Sequence, residues 1–169
     1  MDSLLSAIFS ADFISSVLRL STPILFAGLA ALITDKAGVI NIGLEGIMLS
    51  AALAGVVGSA FGGNAFFGLL LALVVGLAIG LLMAYFAIGL KTDIVLTGIA
   101  LNLMASGGTV FLLYVITKDK GMSTSLKSFT MPVIQLPLIK NIPVLGDVLS
   151  GHNLLTYMAF LFTILVWIL

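Results

Sequence analysis

The sequence predicts an all-α integral membrane protein: a bundle of about five transmembrane helices with a glycine-rich, broken segment before the second. Of its 169 residues, 61% are hydrophobic and 8% are charged, and the mean hydropathy is +1.31. Soluble domains average about 45–50% apolar and about 25% charged residues. The apolar runs are apolar on every side, whereas the strands of a membrane barrel alternate over about 10 positions. The chain is therefore expected to cross a bilayer as helices.

The first apolar run covers residues 13–33 and predicts the first transmembrane helix. A spanning helix needs about 20 predominantly apolar residues. Arg19 lies close enough to one end of the run for its guanidinium to reach the interface. Pro23 is compatible with a membrane helix because neighbouring groups can satisfy the carbonyl that it frees.

The second and third helices are predicted within one long uncharged stretch. No charged residue occurs between Gly46 and Leu90, and this stretch is too long for a single crossing. The tripeptide at residues 62–64 (GGN) is its one strong turn signal. The stretch therefore divides into helices at residues 47–61 and 65–90.

The fourth helix is predicted at residues 94–116, after a short polar interruption, and the fifth at residues 154–169. The connection between them, residues 117–153, mixes lysines and three prolines with many apolar residues. A freely solvated loop would be more polar, so we expect this one to pack along the membrane surface, partly as a short interfacial segment. No linker divides the chain, and residues 1–169 are predicted to form one transmembrane domain or part of one.

Small residues recur at every fourth position of the second and third helices, and Gly58, Gly76 and Gly80 belong to these rows. Small residues at this spacing let two helices cross closely in lipid. The rows predict helix packing at these glycines. They leave open whether the two helices also line or seal a pathway or are simply part of an ordinary bundle.

The most informative segment is residues 38–46 (GVINIGLEG), directly ahead of the second helix. Its glycines weaken a helix, each by about 1 kcal/mol relative to alanine. Asn41 and Glu45 would share one face of any helical turn here. A broken helix with polar groups at membrane depth is how many transporters build a site. The alternative is a short interfacial loop in which Glu45 only favours the helix dipole.

Three stretches resemble bacterial ABC importer permeases of the nucleoside type, and ribose and branched-chain amino acid permeases are similar but more distant. These stretches are residues 21–23 (STP), 35–49 (DKAGVINIGLEGIML) and 98–103 (GIALNL). The resemblance covers essentially the whole chain, as the N-terminal half of such a permease. It implies that Asn41, Gly43, Glu45, Gly46 and Asn102 belong to the translocation pathway or to the structural motif beside it. From the residues alone, Asn102 could equally line a pathway or bond across helices.

The resemblance also implies function and partners. The chain would form half of a pathway in the bacterial cytoplasmic membrane. Its solutes would be nucleosides, with simple sugars as the less favoured alternative. A separate ABC ATPase subunit, a second permease subunit and an extracytoplasmic solute-binding lipoprotein would be its partners besides the lipid bilayer. Two other functions stay open: a fragment of an ion-coupled secondary transporter that uses Glu45, and a membrane protein with a purely structural role.

Composition excludes several other functions. Seven Lys and Arg residues balance seven Asp and Glu residues, so no basic surface suggests nucleic acid. With no cysteine and one histidine, neither a catalytic residue nor a metal site is predicted, and no cofactor is expected. His152 is expected at the surface or the membrane interface. The chain has no G-x-x-x-x-G-K-[ST] sequence, so ATP hydrolysis would belong to the partner and the chain is not predicted to be an enzyme.

The length of the last apolar run generates a first prediction. Residues 154–169 reach about 24 Å as a helix, short of the hydrocarbon core of about 30 Å, and no charge flanks their end. We expect the natural gene to encode more than about a hundred further residues, as the resemblance implies; sequencing of the locus checks this. A stop codon directly after Leu169 would contradict it.

A second prediction concerns orientation. With five crossings, Lys36 and Lys91 lie on one side and residues 117–153 on the other. The positive-inside rule would put the longer, lysine-bearing loop in the cytoplasm. The resemblance implies the opposite, with this loop and the N-terminus outside. We therefore expect an impermeant thiol reagent on intact cells to label Ser125→Cys and not Asp35→Cys. Labelling of the Asp35→Cys variant alone would reverse the assignment.

Overall fold

Helices account for most of the chain that the computed structural model describes, namely residues 10–119, 124–135 and 150–168. Four of them are long and apolar enough to cross a membrane. This confirms the predicted all-α membrane class. The elements are helices α1 (Ala11–Lys36), α2 (Leu44–Gly62), α3 (Ala65–Ala84), α4 (Ile94–Thr117) and α5 (Leu154–Ile168), and strands β1 (Val133–Ile134) and β2 (His152–Asn153).

Most helices extend beyond the predicted apolar runs. The helix α1 starts two residues earlier than predicted and ends at Lys36 instead of residue 33, because a charged residue ends an apolar run without ending a helix. The helix α2 starts at Leu44, three residues before the predicted start. The helix α5 has 15 described residues, fewer than the roughly 20 that a full crossing needs. Leu169 lies outside the described residues.

The chain divides into two compact units, of which the second is Thr34–Thr130. In this unit α2 packs against both α3 and α4. The turn between α2 and α3 forms where the sequence predicts it: Gly63 has φ +63°, and the Asn64 side chain accepts a hydrogen bond from the Phe66 N–H at 3.0 Å. At the same end of α2, the buried Ser59 hydroxyl accepts from the Phe129 N–H at 2.7 Å and donates to the Phe129 carbonyl at 3.3 Å.

A π-helical turn, Tyr85–Gly89, follows α3 and leads into a polar connection before α4. The Thr92 hydroxyl donates to the Phe86 carbonyl at 2.8 Å. The Asp93 side chain caps α4 by accepting from the Val95 and Leu96 N–H groups at 2.8 and 3.1 Å. The short polar interruption in the sequence is therefore a tight turn whose polar groups are hydrogen-bonded locally.

The first unit comprises the described residues of Met1–Ile33 and Met131–Leu169. Its helices α1 and α5 are joined by a buried hydrogen bond from the Thr22 hydroxyl to the Thr156 hydroxyl at 3.1 Å. The rings of Phe26 and Phe162 meet edge to face, with centroids 6.1 Å apart. A hydroxyl pair and an aromatic pair thus fix the contact between two otherwise apolar helices.

The position of His152 corrects an expectation. The prediction of a surface histidine was wrong within this unit, because the residue is only 4% exposed; its position relative to the membrane interface stays a prediction. His152 lies in β2, which pairs antiparallel with β1, and its ring stands against Tyr157 with centroids 6.2 Å apart. The Tyr157 hydroxyl donates to the Ile134 carbonyl at 3.3 Å. Residues 136–149, which hold much of the predicted interfacial segment, lie outside the described residues.

Candidate functional site

The glycine-rich segment begins where α1 ends. The Gly38 N–H donates to the Asp35 carbonyl at 2.9 Å, and the Val39 N–H donates to the Thr34 carbonyl at 2.9 Å. With Gly38 at φ +80°, this is a Schellman motif, in which a left-handed glycine lets the chain turn away from a helix while satisfying the last carbonyls. The chain then runs without helical structure through residues 37–43.

The start of α2 is unusual because the residue before it provides no side-chain cap. Gly43 occupies the N-cap position with φ −75° and ψ 2°. The first intrahelical bond joins the Ile47 N–H to the Gly43 carbonyl at 3.1 Å. The first N–H groups of a helix have no intrahelical acceptor and are usually capped by a neighbouring Ser, Thr, Asp or Asn. In α2 an acceptor for them has to come from elsewhere.

Asn102 of α4 provides that acceptor. Its Oδ1 accepts from the Gly46 N–H at 2.7 Å, and Gly46 is the third helical residue, the position that an ordinary N-cap side chain serves. Its Nδ2 donates to the Ile42 carbonyl at 2.9 Å. One amide side chain therefore caps α2 from a different helix and also binds the non-helical segment before it. From its sequence, Asn102 could line a pathway or bond across helices, and these two bonds correspond to the second role.

Glycines make this contact close. A Cβ atom at Gly46 would stand 2.9 Å from both Asn102 Oδ1 and the Leu101 carbonyl oxygen. A Cβ at Gly98 would stand 2.9 Å from the Gly43 backbone nitrogen. At Gly43 a Cβ would lie 3.0 Å from the sulfur of Met83 in α3. Backbone packs on backbone here, which leaves no room for a side chain between the segment and α4.

The junction lies inside the helical unit and not at its edge. Gly98 is about 6 Å and Asn102 about 12 Å along α4 from its first residue, at about 1.5 Å per residue. Both residues lie within the candidate membrane span Ile94–Thr117. Gly43, Gly46 and Gly98 are buried. The helix α2 therefore starts one to two turns deeper than the start of α4 beside it.

Asn41 and Glu45 occupy different environments. Asn41 precedes the helix, so the condition under which the two would share a helical face is not met. Its Oδ1 is buried and has no hydrogen-bond partner among the described residues. Glu45 lies in the first turn of α2 and is exposed, where its charge favours the helix dipole. The pathway role of both residues stays a prediction.

The three packing glycines differ in their surroundings. A Cβ at Gly58 would lie 2.9 Å from Leu71 Cδ2. At Gly76 the nearest atoms belong to Ala51 and Ile47, both at 3.8 Å. At Gly80 nothing lies within 4 Å in the part of the chain that the structure describes. The packing role of these glycines stays a prediction.

The sequence analysis did not single out Gly68, where backbone of α3 lies close to backbone of α2. A Cβ at Gly68 would stand 2.6 Å from the Gly55 carbonyl oxygen and 2.7 Å from Ser59 Cβ. Gly68 is one step of four residues before Ala72, the small residue that precedes Gly76 and Gly80 in their row. Extending the row by that step would have found it. Met83, which is buried beneath Gly43, carries no signal of its own in the sequence.

These features are those of a multi-pass helical membrane protein whose second helix starts from a break inside the bundle. Such an arrangement is typical of transport proteins. Residues 13–169 match the family described as the permease component of branched-chain amino acid transport systems, and the chain belongs to that family. It is accordingly a multi-pass protein of the cytoplasmic membrane and a member of a transport family.

Three relatives refine the comparison. The chain is 31% identical over 159 residues to a putative glucose ABC transporter permease of Haloferax volcanii, covering 94% of this chain and 47% of the relative. It is 29% identical to a nucleoside ABC transporter permease of Lactococcus lactis, covering 91% and 50%. It is 28% identical to a guanosine ABC transporter permease of Bacillus subtilis, covering 80% and 44%. The chain thus spans about half the length of these relatives. No solved structure gives a significant match.

The close contact at Gly98 generates a third prediction. The change Gly98→Ala should destabilise the protein by about 1–3 kcal/mol, because the new methyl group meets backbone atoms of Ile42 and Gly43 that cannot rotate away. Thermal unfolding of the purified protein in detergent measures the effect.

A glycine on the same helix is the control. Among the described atoms nothing lies within 4 Å of a Cβ at Gly107, so Gly107→Ala should be neutral or stabilising by up to about 1 kcal/mol through helix propensity. Equal midpoints for the two variants would contradict the close packing at Gly98.

Proposed function

We propose that residues 1–169 form the N-terminal half of a permease subunit that builds the solute pathway of an ABC importer. The observation that carries the proposal is the break before α2, which lies one to two turns inside the unit and is held by Asn102 of α4. Broken helices of this kind give transporters polar groups at membrane depth and a place where a helix can change direction. The relatives' names support the same activity, since each is an ABC transporter permease.

The solute class follows from chemistry and from those names. The relatives' names specify glucose, nucleosides and guanosine, which are uncharged molecules rich in hydroxyl groups. An amide such as that of Asn41, whose buried Oδ1 has no donor among the described residues, suits a solute that offers hydroxyl or amino protons. We propose a nucleoside as the solute and a simple sugar as the second candidate.

The partners belong to the proposal as well. ATP would be hydrolysed by a separate ABC ATPase subunit, since this chain has no phosphate-binding G-x-x-x-x-G-K-[ST] loop. A second permease subunit would complete the pathway, and an extracytoplasmic solute-binding lipoprotein would deliver the solute. The ATPase would drive the change between outward and inward access.

Variants of Glu45 test the pathway. In the full-length permease with its ATPase and binding protein, we expect Glu45→Ala to lower nucleoside uptake by about tenfold, which is about 1.4 kcal/mol. Glu45→Gln should retain part of the uptake, because it keeps the shape and one acceptor. The physical reason is that a carboxylate at membrane depth has to be wet or paired, which a pathway or the other half of the subunit would provide. Radiolabelled uptake into cells, at equal expression, is the measurement.

The test of Glu45 has a control at Asp35 and two outcomes that would contradict the proposal. Asp35 is an exposed carboxylate just before the segment, and Asp35→Ala should leave uptake unchanged. Wild-type uptake by Glu45→Ala would reduce Glu45 to an ordinary first-turn acid. Uptake that needs no ATPase and stops with a proton uncoupler would instead support an ion-coupled secondary transporter.

A further inference from the structure

Asn102 makes a contact that the proposed pathway role does not by itself explain. Its two hydrogen bonds run to two different elements, the start of α2 at Gly46 and the carbonyl of Ile42 in the non-helical segment. Its own backbone belongs to α4. One side chain therefore joins three pieces of the chain.

The surroundings make this joint rigid. A residue with a Cβ at Gly46 or Gly98 would collide with backbone atoms at 2.9 Å, so no flexible side chain separates the segment from α4. The Gly46 N–H belongs to the candidate membrane span Leu44–Gly62, and the Ile42 carbonyl is bonded to Asn102 of the candidate span Ile94–Thr117. In the hydrocarbon layer, water does not replace a lost hydrogen bond. Sliding the segment along α4 would leave both groups unpaired in an apolar environment, because no other acceptor or donor contacts them among the described residues.

We propose that Asn102 is a positioning residue that fixes the glycine-rich segment and the start of α2 to α4, so that these parts move together as one body during transport. This rests on the proposed function. The segment therefore does not bend freely at Ile42–Gly46, where it is bonded to α4. Any bending during the transport cycle falls on the other end of the segment, between Gly38 and Asn41, where Val39 and Ile40 are exposed.

A distance measurement tests the joint directly. Residues 1–169 contain no cysteine, so in a full-length permease whose other cysteines are replaced, Ile40→Cys and Phe111→Cys give a pair of spin-label sites on exposed residues, one on the segment and one on α4. Phe111 lies about 20 Å along α4 from Gly98, within the range of pulsed electron spin resonance. The pair Leu96→Cys and Phe111→Cys, both on α4, is the rigid reference.

For the full-length permease with its ATPase and binding protein in liposomes, we expect the distance from Met48→Cys, an exposed site near the start of α2, to Phe111→Cys to be the same with and without ATP. The distance from Ile40→Cys to Phe111→Cys should vary only by bending of the segment. Replacing Asn102 with leucine should broaden both distributions and leave the α4 reference unchanged. A wild-type distance from Met48 to Phe111 that shifts between nucleotide states would overturn the proposal, and so would Asn102→Leu distributions identical to the wild type.

Transport efficiency is the second readout. Asn102→Leu should lower solute transported per ATP hydrolysed by about tenfold, with the half-saturating solute concentration little changed. Asn102→Asp keeps the acceptor for Gly46 and loses the donor for Ile42. Its ratio of solute transported to ATP hydrolysed should therefore lie between those of the wild type and Asn102→Leu. Asn64→Ala is the matched control, because Asn64 caps α3 through the same kind of amide bond but within its own helix; it should keep the wild-type ratio.

The ratio of solute transported to ATP hydrolysed in the Asn102 variants decides the proposal. A wild-type ratio in Asn102→Leu would overturn the proposal, and if that variant does not insert, a wild-type ratio in Asn102→Asp would do the same. The proposed function fails separately: the wild-type protein would then show no ATP-dependent uptake. The broadened resting-state distances in Asn102→Leu would still be expected in that case, because they depend on the joint alone.

Discussion

Every backbone N–H and carbonyl group inside the hydrocarbon layer needs a partner in the protein, because lipid offers none. Most of this chain meets that requirement with helices. The exception is the start of α2, where Gly43 has no side chain to cap the helix and the Ile42 carbonyl is outside any helix. Asn102 satisfies both of these groups, the Ile42 carbonyl and the Gly46 N–H, with a single amide, and leaving the two groups unpaired would cost about 1–3 kcal/mol each. The deep break depends on that one residue.

The rest of the second unit is arranged around α2. At one end of α2, Gly46 lies against α4, and at the other Gly55 and Gly58 lie against Gly68 of α3. Glycine at these contacts lets two backbones approach within the space that one side chain would fill, which adds dispersion contacts and removes cavities. The hydroxyl of Ser59 then holds Phe129 beside the same end. One helix thus determines where its neighbours and the following loop lie.

Many large apolar side chains of α1 to α5 remain exposed, and Asn41 Oδ1 is buried with no donor among the residues that the structure describes. In a bilayer the apolar surface contacts lipid or other helices, so its exposure is not a defect. The relatives are about twice as long as this chain. The polar atom is different: a buried acceptor without a partner is rare in native proteins. This unpaired oxygen is what supports the proposal of a solute contact at Asn41.

The sequence by itself determined the membrane class, the helices and the turn at residues 62–64, because apolar length, charge and glycine act locally and are legible along the chain. It also singled out residues 38–46 and left Asn102 between two roles. The tertiary structure was needed to show that α2 is capped from α4, that backbone meets backbone at Gly68 and Gly98, and that His152 is buried. These features join residues about 60 positions apart or depend on which helix face meets which neighbour. Spacing cannot reveal that, because rows of small residues look alike whether they face a helix, as at Gly58, or open space, as at Gly80.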